Sequence, residues 1–174
     1  MRTPPLISGA GHASGLPLFD AQADFRRARR AYAAARLVRR LRGHVEPNRP
    51  LTVPDAALAS GAPMRLEVVA LCQIIGTLEP THDFDARFRP ASELVRNRWE
   101  RIALARRKGI ALPAITLRHQ PDGYYVIDGR HRVSVARALG DRDIDAWVIG
   151  GGPASPLAPQ TPDRDPTCPA PPRL

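Results

Sequence analysis

The residues best placed to do chemistry are Asp128-Gly129-Arg130-His131-Arg132, between the strand-like run Tyr124-Tyr125-Val126-Ile127 and the helix-like run Val133 to Leu139. A glycine that leaves a strand and opens a helix leaves backbone N–H groups unpaired at the helix start, where the helix dipole favours an anion. Two cations, Arg130 and Arg132, and the switchable imidazole of His131 crowd the same turn. The chemistry expected here is capture of a phosphate-like group. The competing structural reading is Asp128 as helix cap, Gly129 as a positive-φ residue and two solvated arginines; position and charge together favour the anion site.

A second concentration of charge precedes it. Residues 20–42 contain eight arginines against two aspartates, with Asp20 or Asp24 as a helix start and Gly43 as its close. At helical spacing Phe25, Ala28, Ala31, Tyr32, Ala35 and Val38 share one face, and Arg26, Arg29, Arg30, Arg36 and Arg40 share the other. Arg27, Arg39 and Arg42 break the pattern. A solvated helix resting on an alanine face and a polyanion-binding helix explain this equally well. Phe25, Leu37 and Leu41 offer little bulk for lipid, so a membrane-surface role is the weaker option.

The elements that must position the turn follow from composition and periodicity. Residues 1–19 read as a flexible arm, 20–43 as the Arg-rich helix, 44–63 as a linker, 64–150 as the folded domain and 151–174 as a disordered Pro-rich tail. Leu66 to Ile75 is expected as one buried strand, with Cys72 a small buried hydrophobe. Gly76 to Pro90 is irregular, anchored by Phe84 and Phe88. Ser92 caps a helix that Gly109 closes, with Val95, Trp99, Ile102 and Ala103 as its apolar stripe. A strand beginning at Leu112, the turn Gln120-Pro121-Asp122-Gly123 and the strand Tyr124 to Ile127 make a hairpin. The helix behind the motif ends at Gly140, and Ile144 to Ile149 is the last strand. Ser134 reads as a helix-face residue and Arg137 as solvated.

Composition bounds the function. The chain has 174 residues and a formal charge of +9; of its 26 basic residues only Lys108 is lysine. Arginine suits bidentate contact with phosphate, although a GC-rich genome produces the same bias. Cys72 and Cys168 form no disulfide framework, and no stretch has the apolar length of a signal peptide or a membrane span. A cytoplasmic protein without integral membrane association is expected. His12, His44, His82 and His119 lack ligand spacing, so no metal site is expected from histidine.

The segment LPAITLRHQPDGYYVIDGRHRVSVARALGDRDIDAWV, residues 112–148, resembles the ParB N-terminal/sulfiredoxin-like superfamily. The likeness extends over the element order of residues 66–149, about half the chain, and implies an α+β fold: a small mixed sheet with packed helices, here preceded by the Arg-rich helix. Three branches share that fold. Sulfiredoxins place a catalytic cysteine where this chain has Arg130, so sulfinyl chemistry is excluded for want of a thiolate. ParB partition proteins bind the CTP triphosphate with Gly-Glu-Arg-Arg. Here Gly129 and Arg132 match, His131 stands for the first arginine, and Arg130 replaces the acid, which counts against CTP hydrolysis. With residues after 150 read as a disordered tail, no helix-turn-helix for reading a DNA site is expected there. Free serine kinases carry Asp-Gly-His-His-Arg; for that chemistry Glu79 or Asp83 would be the carboxylate base.

The resemblance and the residues together imply a ParB-like module that binds nucleotide or nucleic-acid phosphate. The cradle is Asp128, Gly129, Arg130, His131 and Arg132; the ligand is CTP, ATP or ADP, with or without Mg²⁺; and DNA is a second partner along Arg26, Arg29, Arg30, Arg36 and Arg40. The alternatives are a small-molecule phosphotransferase with Glu79 or Asp83 as catalytic residue, and a non-catalytic interaction protein.

Overall fold

The structure, a computed structural model, describes residues 14–41, 63–79 and 81–150; most of the expected arm, the linker and the tail lie outside these residues. The fold is α+β, with three helices and a five-stranded mixed sheet. In chain order the elements are α1 (Pro17–Leu41), β1 (Met64–Ala70), β2 (Ile74–Thr77), α2 (Arg96–Arg107), β3 (Ile115–Gln120), β4 (Gly123–Asp128), α3 (Arg130–Leu139) and β5 (Asp143–Ile149).

The apolar run expected as one strand is split by a 3-10 turn, Leu71–Gln73, into β1 and β2. The split follows from a distant partner. Arg137 on α3 donates to the Leu71 carbonyl at 2.7 Å and the Ile74 carbonyl at 2.6 Å, satisfying both ends of the turn. Arg137 is therefore no solvated residue. Burial pulls its guanidinium down to about 10, and it lies 5.0 Å over the Phe88 ring. Cys72, in that turn, is exposed and disulfide-bonded, so it is not the small buried hydrophobe expected.

Strand order is β1-β5-β3-β4-β2, so two strands joined by three residues lie at opposite edges. Four strand spacings would hold them about 19 Å apart in a flat sheet, whereas four peptide steps reach only about 14 Å. The sheet must curl. Accordingly β1 faces β4 across the interior: burial first, and then the Glu67 carboxylate, raise the Tyr124 phenol, with Arg65 opposing. Val69, Leu71, Ile74, Ile115, Leu117, Val126, Val133 and Val148 fill the space inside.

A second core lies between the helices. Ala21, Phe25 and Ala28 of α1 pack against Val95, Trp99 and Ala103, with Phe25 and Trp99 edge to face at 5.4 Å. The helix starts at Pro17, three residues before the expected start, because Asp20 accepts bonds from the Ser14 backbone N–H and hydroxyl and gathers the preceding turn. Asp24, 1% exposed, accepts from Arg107 Nε at 2.7 Å and from Arg27 at 3.1 Å. Ser134 is buried here too, accepting the Trp99 indole N–H at 2.9 Å.

The segment between β2 and α2 is organised by one carboxylate. Asp85 Oδ1 accepts the backbone N–H of Arg87 and Arg89, and its Oδ2 pairs with Arg89 and, at 3.4 Å, with Arg39 of α1. The resulting loop forces Phe88 to φ 59, the one positive value on a non-glycine among the described residues. Complete burial of its ring against Arg137 offsets that strain.

Candidate anion-binding site

The hairpin delivers the chain to the turn. Gly123, at φ 142, closes the loop after Asp122, and β4 runs antiparallel to β3 up to the pair Thr116↔Asp128. Gly129 then adopts φ 105 and opens α3. A side chain is excluded there on two counts: the backbone is left-handed, and an added Cβ would overlap the fully buried Ile115 side chain. The first helical bond runs from Val133 N–H to Gly129 C=O at 3.0 Å. No side chain caps the helix, so the N–H groups of Arg130, His131 and Arg132 remain at its open end.

The charged side chains divide sharply. Arg132 is turned inward: it donates to the carbonyls of Pro113 at 2.6 Å and Ala114 at 2.9 Å, and to Asp128 at 2.6 Å. It locks the turn to the segment before β3. Asp128 is thereby a partner of Arg132, not a helix cap. Arg130 keeps its guanidinium at the surface, 3.9 Å from Glu79 of the β2–α2 segment. His131 is half-buried edge-on to Phe84, ring centroids 5.1 Å apart. Burial, then Arg98, then Arg130 pull its imidazole down to about 4, against the opposing carboxylates of Asp83 and Asp128. It is neutral at pH 7, so it acts as a hydrogen-bonding group and not as a cation.

Glu79, Asp83, Asp128, Gly129, Arg130, His131 and Arg132 thus gather at one end of α3. Arg98 is an addition that the sequence reading did not single out. It comes from α2, and only the packing of α2 on α3 brings it near His131. Among the described residues no three His, Cys, Asp or Glu side chains form a metal cage.

The arginine helix presents a different surface. Arg27, Arg29 and Arg39, two of them expected to spoil the pattern, are those that pair with acids. Arg29 also donates to the Pro90 and Ala91 carbonyls at 3.2 and 2.5 Å. Arg26, Arg30, Arg36 and Arg40 are exposed and have no carboxylate within ion-pair distance among the described residues. A groove of about 570 Å³ runs between α1 and the segment before α2, lined by Arg30, Tyr32, Arg36, Leu37, Arg40 and Glu93 among others. Among the described residues no helix is long and apolar enough to cross a membrane.

No protein-family model, curated protein or solved structure matches this chain.

Proposed function

We propose that the chain is a ParB-like phosphate-binding module, taking the phosphates of a nucleotide such as CTP, ATP or ADP at the N-terminus of α3. The observation that carries this is the helix end behind Gly129, which no side chain caps, with Arg130 in its first turn and Arg98 near enough to act on His131. The curled mixed sheet feeding a Gly-x-His-Arg turn supports the ParB/sulfiredoxin-like reading of the fold. Mg²⁺ would come with the nucleotide, held by phosphate oxygens and at most one or two carboxylates such as Glu79 or Asp83. Nucleic-acid backbone is the second ligand, along the uncommitted arginines of α1.

The test is a thermal-shift and calorimetric titration with CTP, ATP and ADP, with and without Mg²⁺. Stabilisation by a nucleotide, lost in Arg98→Ala/Arg130→Ala, is expected; no shift with any nucleotide sinks the reading. Arg132 is the wrong residue to mutate for this purpose, because its loss disturbs the turn itself.

One observation favours a phosphotransferase as the second reading: Glu79, mostly exposed, stands beside Arg130, where a base would meet a substrate hydroxyl. That reading requires nucleotide turnover with a hydroxylated metabolite, abolished in Glu79→Gln or Asp83→Asn. Binding without turnover across a metabolite panel leaves the binding module and removes the enzyme.

A further inference from the structure

β1 pairs with β5 alone, so among the described residues its other edge has no strand beside it. Its alternate residues Met64, Leu66 and Val68 share one face and are 54%, 60% and 67% exposed. Trp147, the register partner of Leu66, extends that apolar face onto β5 with 40% exposure. On the opposite face Arg65 Nε lies 3.1 Å from Glu67 Oε1. A free edge carrying a continuous apolar row is a template for another strand.

We propose that this edge is a homodimer interface, in which β1 of two copies pairs antiparallel about a two-fold axis through Leu66. Directly opposed residues of an antiparallel pair point to the same face. Centring on Leu66 sets Met64 against Val68 of the second copy, and Arg65 against its Glu67, twice over. The adjacent registers that keep the apolar face together centre on Arg65 or on Glu67, and each places like charges opposite one another. Charge therefore selects a single register. The contact is isologous and closed, so it stops at two copies.

Sedimentation of the full chain over a concentration series tests this. The wild type is expected to show a reversible monomer–dimer equilibrium. Glu67→Arg, which opposes arginines at both pairs, is expected to raise the dissociation constant at least tenfold. The double reversal Arg65→Glu/Glu67→Arg restores the opposed charges and is expected to return it to the wild-type range. Val68→Lys removes the dimer through the apolar face while circular dichroism and melting remain those of a folded chain. A wild type that stays monomeric to its solubility limit overturns the proposal, whether the face is bare or covered by the chain's own flanking residues. So does a dimer indifferent to Glu67→Arg, or one that the double reversal fails to restore.

Discussion

The two arginine-rich surfaces, the α3 turn and the exposed face of α1, differ in what their cations are already doing. At the α3 turn Arg132 is spent on two carbonyls and Asp128, leaving Arg130, the neighbouring Arg98 and the backbone N–H groups. On α1 Arg27, Arg29 and Arg39 are committed to carboxylates, while Arg26, Arg30, Arg36 and Arg40 have no carboxylate within ion-pair distance among the described residues. Arginine content alone does not separate them. The turn is a compact site suited to one phosphate group, read largely by backbone; the helix is an extended site suited to a polyanion, read by charge.

The contrast depends first on α1 being docked, and the largest effect is expected there. Asp24→Ala takes the buried carboxylate from Arg107 and Arg27, leaving Arg107 only Asp20 at 3.8 Å, and should cost about 3 kcal/mol in urea unfolding. If stability hardly changes, α1 is not held by that pair and its two faces lose their distinction. Next comes Arg132→Ala, expected to cost about 2 to 3 kcal/mol through its lost carbonyl and carboxylate bonds, against less than about 0.5 kcal/mol for Arg130→Ala. Equal losses would erase the division between structural and available cations at the turn.

Binding sharpens the comparison further. Replacing Arg30, Arg36 and Arg40 together by alanine should leave unfolding unchanged and reduce the salt slope of duplex DNA binding by about 2.7, at about 0.9 per phosphate contact. Nucleotide binding at α3 should keep its affinity in the same variant.

The smallest effect is one of pH. The folded imidazole of His131 titrates near 4, below the 6.5 of an unperturbed histidine, so the unfolded state takes up the proton first as pH falls. Its contribution is fully present above about pH 6.5 and is lost toward pH 4, giving a lower melting temperature at pH 5 than at pH 7. His131→Asn should flatten that component. On phosphate binding the His131 resonances should titrate at higher pH, because an adjacent dianion favours the charged ring.

Much of this was legible where local chemistry decides. Ser92 accepts the Leu94 N–H, though it caps a 3-10 turn, Glu93–Val95, ahead of α2 and not α2 itself; Gly109 and Gly140 end their helices at φ 70 and 80, and the hairpin turns at Pro121-Asp122, all read from residue type. The Asp128–Arg132 turn was found on the same grounds, since a strand ending in glycine before a helix is a short-range pattern. What stayed hidden depends on partners far along the chain. The break between β1 and β2 answers to Arg137, 63 residues beyond Ile74, and the inward turn of Arg132 to carbonyls 18 and 19 residues back. Nothing in the run from Leu66 to Ile75 announces either. Arg98 joins the site only because Trp99, its neighbour, is pinned to Ser134 of α3. The burial of α1 was half visible: Phe25 and Ala28 lie in the core, while Val38, assigned to the same face, is 44% exposed.

Asp85 has one consequence for how the two surfaces relate. It holds Arg39 of α1 and, through its own backbone and that of Arg89, shapes the loop that also carries Asp83 and Phe84 to His131. Should a ligand on α1 draw Arg39 off this carboxylate, and should the loop beside His131 shift with it, the two ends of α1 and α3 would be coupled. By thermodynamic reciprocity, occupancy at the α3 turn then changes affinity on α1 by the same factor. A single acid thus ties α1 to the loop that carries Asp83 and Phe84.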